Sequence, residues 1–262
     1  MGVVNVTPDS FADGGRFLEP KAAIAHARTL IEEGADMLDV GAESSRPGAQ
    51  GVSAEEELAR LMPVLEGLRD CRVPVSVDTV KPEVMRAALA AGASMINDIR
   101  ALRAEGATEA VAASDAAVCL MHMRGEPRTM QRKPEYGDVA AEVAAFLEER
   151  VAAAVAAGIA RERIAVDPGF GFGKTVENNL ELLRKLDRIA AIGRPVVAGW
   201  SRKSTLGAIT GRSADDRLAA SIAAALLAVQ RGARIVRVHD VAATRDALAV
   251  LAAFDGNSQP HG

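Results

Sequence analysis

Eight short runs rich in β-branched residues, stretches of helical period between them, and no linker long enough to separate domains predict an α/β fold for this 262-residue chain. The simplest closure of such a repeat is a single (β/α)8 barrel, which commonly fills about 250 residues. In order the runs are "GVVNVT", "MLDVGA", "VPVSVD", "SMINDI", "AVCLMH", "RIAVDP", "PVVAGW" and "RIVRVH". Most are entered at or after Gly, Pro or a charged residue and carry a polar side chain at or next to their close. Between the fifth and sixth, Val139, Val143, Phe146, Leu147, Val151 and Val155 form one helical stripe, and Gly158 suits the stop. Before the eighth, Ser213 followed by Asp216 reads as a capping box opening a helix that runs to about Gln230, with Gly232 just beyond. A doubly wound open sheet is the alternative. Such sheets usually stop at about five or six strands and carry a glycine fingerprint after the first, which "NVTPDSFADGG" lacks. Residues 1–255 are predicted to form the one domain, and 256–262, polar and Gly/Pro-containing, a fraying tail.

Composition narrows the function classes. A net charge of −4 argues against a nucleic-acid surface built on bulk positive charge. Cys71 and Cys119 lie far apart in apolar settings, give neither a disulfide framework nor a Cys-x-x-Cys pair, and are predicted to be buried and inert. No leader and no long apolar run is visible, so the cytoplasm is the expected compartment and no membrane partner is expected.

In a barrel the carboxyl ends of the strands carry the chemistry, so the residues closing each run are the candidates. These are Asn5, Asp78, Asn97, Asp167, the segment Ser201 to Ser204 with Lys203, and the pair Arg237 and His239, which share a face by strand parity. Parity also places Ser76, Met95 and Ala165 beneath Asp78, Asn97 and Asp167, as expected where a packed interior gives way to a polar mouth. Asp98, Asp240 and His122 read as structural, as does His26 on a helix face. The carboxylates and Asn97 suit a flat heterocycle rich in N–H donors, whereas Arg46, Lys203, Arg237 and His239 suit an anion such as pyrophosphate. A pterin pyrophosphate carries both.

The stretch "DPGFGFGKT", Asp167 to Thr175, imitates a phosphate loop without being one. Pro168 stands where a P-loop needs a glycine N–H, and Gly169, Gly171 and Gly173 alternate too regularly for a dinucleotide fingerprint.

With "NVTPDSFADGG", "DVGAESSRPG", "SVDT", "NDI", "MHM", "DPGFGFGK", "SRKS" and "RVHD" all in family order, the chain resembles dihydropteroate synthase, a TIM-barrel enzyme of folate biosynthesis. That resemblance implies condensation of 6-hydroxymethyl-7,8-dihydropterin pyrophosphate with 4-aminobenzoate, a magnesium requirement, and a homodimer, for which the alanine-rich helix around Ala219 to Ala228 is a candidate surface. It implies that Asp78, Asn97, Met121, Asp167, Lys203 and Arg237 bind the pterin, and that Asp78, Lys203 and Arg237 carry catalysis. Ser45, Arg46, Arg237 and His239 would face the pyrophosphate, and Asn5 the magnesium ion. Phe11, Asp13, Pro47, Phe172, Lys203 and Ser204 would form the aminobenzoate pocket, with Asp9 on the same mobile loop. Asp167 would then grip the pterin while the glycines turn the backbone and place Phe172 against the arene; Lys174 is not expected to touch substrate. Ser45, Ala42 and Trp200 depart from the common family residues, and Trp200 is expected to crowd the ring pocket. Two alternatives remain: a methyltetrahydrofolate-using methyltransferase domain and a non-catalytic pterin-binding protein.

Overall fold

The computed structural model describes residues 1–6, 19–44, 51–126, 129–131 and 134–256. Seven strands fall inside their predicted runs and the eighth starts one residue before its own: β1 Gly2–Asn5, β2 Leu38–Gly41, β3 Val75–Asp78, β4 Met95–Asp98, β5 Ala117–Met121, β6 Ile164–Asp167, β7 Val196–Ala198 and β8 Ala233–Val236. The helices are α1 Glu19–Glu32, α2 Ala54–Gly67, α3 Pro82–Ala90, α4 Ala107–Ala112, α5 Val139–Ala156, α6 Val176–Arg184, α7 Leu186–Ala190, α8 Ser204–Thr210, α9 Leu218–Gln230 and α10 Val241–Phe254. All strand pairs are parallel and each strand pairs with the next in sequence, giving one curled eight-stranded sheet in the order β1 to β8. Past β8, Val238 N–H donates to Met1 O at 3.0 Å and Val3 N–H donates to Val238 O at 3.0 Å, a single parallel bridge back to the first strand.

Apolar side chains pack in two layers. Between sheet and helices lies the large cluster built on Val4, Val40, Val77, Ile96, Leu120 and Val166 with their helix partners. On the other face a smaller cluster of Met1, Met95, Cys119, Ala165 and Val197 forms a separate interior layer. A sheet buried on both faces explains why the strands read as unbroken apolar runs. Helices start where local hydrogen bonding favours it: Ser53 Oγ caps α2 by accepting Glu56 N–H at 3.1 Å, and Thr175 with Asn178 closes a reciprocal capping box at α6.

Three local expectations change. Val155 is 40 % exposed, and Ala154 takes its place in the buried stripe of α5; at about 100° per residue Ala154 falls mid-stripe while Val155 rotates off its edge. Ser213 Oγ donates to Asp216 Oδ2 at 2.7 Å, so neither side chain caps the helix, which begins at Leu218. Its other end is as expected, with Gly232 at φ 103° after Arg231. Cys119 is buried as predicted, but Cys71 is only half-buried, its thiol donating to Val73 O at 3.1 Å. Among the described residues no helix is long and apolar enough to cross a membrane. Gly256 apart, the expected tail lies outside the described residues.

Candidate active site

Strand parity carries the polar crown directly above the small interior layer. Asn97 stands two residues beyond Met95, and Asp167 two beyond Ala165, so each points the same way as its apolar neighbour below. Register sets Asp78 beside Asn97, Gly41 beside Asp78, and Met121 beside Asp167.

The centre of the cluster is Arg237, just past β8. Its Nε donates to Asp39 Oδ2 at 2.6 Å and its Nη2 to Asp78 Oδ2 at 3.3 Å, and Asn97 Nδ2 donates to the same Asp39 oxygen at 3.1 Å. Burial works against the charge of Arg237, yet Asp39 and Asp78 outweigh it and raise its pKa. Asp78 is pushed up to about 7, first by burial and then by the charge of Asp39, with Arg237 opposing. Burial also raises Asp167, while Lys203 and its own acceptance of Gly169 N–H at 2.6 Å pull it down. Lys203 is lowered to about 8 by burial, against the attraction of Asp167. Its Nζ donates to Phe170 O at 2.5 Å and lies 4.8 Å from the Phe172 ring centre.

Asp39 escaped the sequence reading because it sits in mid-strand, one layer below the strand tips. The signal was present in "MLDVGA": an acid inside an apolar parallel strand must find a buried partner. Asp39 Oδ1 and Asn97 Oδ1 are both buried without a protein partner. Each orphan costs about 1–3 kcal/mol, a cost that a ligand bringing N–H donors removes. A hollow of about 60 Å³ opens beside Asp78, lined also by Ser44, Thr79, Val80, Ile99 and Arg100. A wider depression of about 370 Å³ lies along α1 between Lys21 and Glu32 and shares none of these residues.

The glycine run forms one wall. A Cβ on Gly169 would stand 1.9 Å from His122 O, and one on Gly173 2.3 Å from Arg124 O, so the loop lies directly on the backbone that follows β5. Both also hold positive φ, 69° and 62°. Lys174 is buried beneath this loop and donates to Gly169 O at 2.9 Å and Phe172 O at 3.1 Å; its Nζ is 3.0 Å from His122 Nδ1. Burial lowers its pKa well below the usual lysine value. Burial and the Lys174 charge push His122 down to about 2, so this ring is a neutral acceptor. Lys174 is thus a brace for the loop, and Thr175 is the cap of α6.

The structure gathers Asp78, Asn97, Asp167, Lys203 and Arg237 at the carboxyl ends of the strands, with Met121 buried beside Asp167 and Phe172 half-buried under Lys203. His239 is set by Ser201, whose Oγ is 3.0 Å from Nδ1 and accepts the His239 N–H at 3.2 Å. Asn5 is half-buried at the end of β1, opposite Gly41, and Ser204 is exposed at the first turn of α8. Phe11, Asp13 and Asp9, with Ser45, Arg46 and Pro47, lie outside the described residues. Asp98 and Asp240 are structural as expected. The first accepts Arg100 N–H at 2.7 Å and Leu102 N–H at 2.8 Å, and the second holds Arg202 through two bonds of 3.1 and 2.6 Å. Trp200 does not enter the ring pocket. It is 2 % exposed in the layer between sheet and helices, its ring 4.6 Å from that of Phe170, because Gly199 and Ser201, not Trp200, have the inward parity.

The sequence profile of the family described as pterin binding enzyme matches residues 1–239. A dihydropteroate synthase of Neisseria meningitidis serogroup B is 52 % identical, the alignment covering 98 % of this chain and 93 % of that protein. The Xanthomonas albilineans dihydropteroate synthase solved with 4-aminobenzoic acid superposes with a TM-score of 0.92 at 55 % identity, covering 97 % of this chain and 92 % of the other. The same organism's enzyme in complex with 7,8-dihydropteroate gives 0.88 at 53 % identity, with 97 % and 92 % covered. The chain belongs to the pterin-binding enzyme family, among the dihydropteroate synthases.

Proposed function

We infer that this site joins 6-hydroxymethyl-7,8-dihydropterin pyrophosphate to 4-aminobenzoate. The bond from the pterin methylene to the pyrophosphate oxygen breaks, a bond from that carbon to the arylamine nitrogen forms, the amine loses a proton, and pyrophosphate leaves. One observation carries the reading: Arg237 bridges two carboxylates beside an amide whose oxygen is buried and unpartnered, at the mouth of a parallel sheet. Asp78, Asn97 and Asp167 accept the ring N–H groups, with Lys203 at the ring carbonyl and Met121 lining the slot. Ionised Asp78 and Asp167 favour an electron-deficient pterin methylene, so that a weakly basic aniline nitrogen can attack it. Arg237 and His239, with Ser45 and Arg46, face the pyrophosphate as negative charge grows on it. Phe172, Lys203 and Ser204, with Pro47, Phe11 and Asp13, form the arylamine pocket. No covalent enzyme intermediate is invoked, since Ser204 has no activating base in the set.

Magnesium belongs to the same reading. Among the described residues no group of three acidic, cysteine or histidine side chains could hold a metal, and a single amide oxygen from Asn5 suits an ion that keeps most of its shell as water and substrate oxygens. Bound there, magnesium would supply positive charge to the departing pyrophosphate. The parallel bridge from Val238 to Gly2 supports taking the sheet as a closed (β/α)8 barrel. A homodimer is supported by exposed Leu218 and Leu227 on α9 with Val250 and Phe254 on α10, and the cytoplasm stays the expected compartment.

The test is incubation with pterin pyrophosphate, 4-aminobenzoate and magnesium. Pyrophosphate release that depends on the arylamine is expected, and Asp167→Ala should abolish pterin pyrophosphate binding. Release without arylamine dependence, or near-normal turnover by Asp167→Ala, overturns the assignment.

A further inference from the structure

We propose that Asn179 is a positioning residue that locks the loop after β6 to the start of α8, so that the two walls of the arylamine pocket move as one. The proposal rests on the reading of that pocket given above. Asn179 stands on α6 and is fully buried. Its Oδ1 accepts Gly171 N–H at 2.8 Å, while its Nδ2 donates to Thr175 O at 2.7 Å and Thr205 Oγ1 at 3.1 Å, with Lys174 O at 3.4 Å. A carboxamide is the neutral side chain that serves an N–H and a carbonyl or hydroxyl at once from one plane, and a buried polar group satisfied on all sides fixes a single geometry.

The position of these bonds gives them their consequence. Gly171 separates Phe170 from Phe172, whose ring faces Lys203, and Thr205 follows Ser204 directly. Among the described residues, two side chains tie residues 169–173 to the segment after β7 by hydrogen bonds, beside the ring contact of Phe170 with Trp200: Lys203 through Phe170 O, and Asn179 through Thr205. A bound pterin competes for Lys203. If Lys203 turns from Phe170 O to the ring carbonyl, the Asn179–Thr205 bond is the hydrogen bond that still joins the loop bearing Phe172 to the helix turn bearing Ser204. Lys174 braces the loop from beneath but reaches nothing on α8.

The test breaks only the far end of the link. Thr205 is buried, so Thr205→Val keeps its shape and removes the acceptor, and Thr205→Ser restores the hydroxyl. Loss of one such bond should raise KM for 4-aminobenzoate about tenfold, with kcat and the KM for pterin pyrophosphate within about twofold of the parent. Thr205→Ser should return the arylamine KM to the parent value, and amide exchange of residues 168–175 should quicken in Thr205→Val alone. An unchanged arylamine KM in folded Thr205→Val overturns the proposal, as does a rise that Thr205→Ser fails to reverse. If the parent itself shows no arylamine-dependent release, the functional reading fails instead. Amide exchange then decides the coupling: quickening supports it, and parent-like exchange overturns it.

Discussion

Replacing Asp39 by Asn tests how the buried centre is charged. Asp39 and Asp78 hang from one guanidinium at 2.6 and 3.3 Å, and the charge of Asp39 helps to hold Asp78 near 7. For unit charges on the order of 6 Å apart at an effective dielectric constant of about 20, the repulsion is roughly 2.8 kcal/mol, or about two pH units. Asn keeps an acceptor for Arg237 Nε but no charge, and it leaves the full attraction of Arg237 to Asp78. Both effects lower the pKa of Asp78. On the proposed reading the ionised carboxylate receives the pterin N–H groups, so kcat/KM for pterin pyrophosphate should fall toward acid with a limb at about 7 in the parent. In the variant the limb should move to roughly 5. The assay is pyrophosphate release at saturating 4-aminobenzoate across this range, with thermal melting to verify the fold. A limb that does not move in a folded variant refutes the reasoning, because Asp78 then either ignores Asp39 or binds the ring without ionising.

Two further outcomes follow from the buried groups around the loop. The folded protein holds His122 at about 2, against about 6.5 in the unfolded chain. Its contribution to stability is therefore complete above pH ~6.5 and is lost as pH falls toward the folded value, by about 1.4 kcal/mol per unit. His122→Asn keeps an acceptor for Lys174 without titrating, so denaturant unfolding between roughly pH 6.5 and 5 should show a slope shallower by that amount; parallel slopes would sink the idea that the ring is buried neutral. Trp200→Ala removes a buried ring that backs Phe170 and should cost about 3–5 kcal/mol in the same measurement. A loss under about 1 kcal/mol would place Trp200 outside the packed layer.

The strands were legible because a parallel sheet covered on both faces writes itself as short apolar runs, and the polar cluster because several runs carry a polar residue at the carboxyl end of the strand. Asp78, Asn97, Asp167 and Arg237 could be found from those two facts. Asp39 could not be assigned a role, since nothing local tells a mid-strand acid which cation it will meet 198 residues later. The brace of Lys174 and the bridge of Asn179 were hidden for the same reason, as their partners are backbone groups of the loop and the distant side chains of His122 and Thr205, brought together only by the loop's final path. Trp200 was misplaced by counting nearness along the chain and not the alternation of faces, which turns its neighbours inward and itself outward. At Ser213 the motif was right in letters, but the hydroxyl satisfied the nearby carboxylate before any helix N–H could claim it.

The pairing of Asp39 with Arg237 also bears on how the enzyme is made. A nascent polypeptide leaving the ribosome carries the acid long before the arginine has been translated. Until then the early half can hydrate that carboxylate but not seal it, so the reaction centre matures last and no partly synthesised chain presents a competent one.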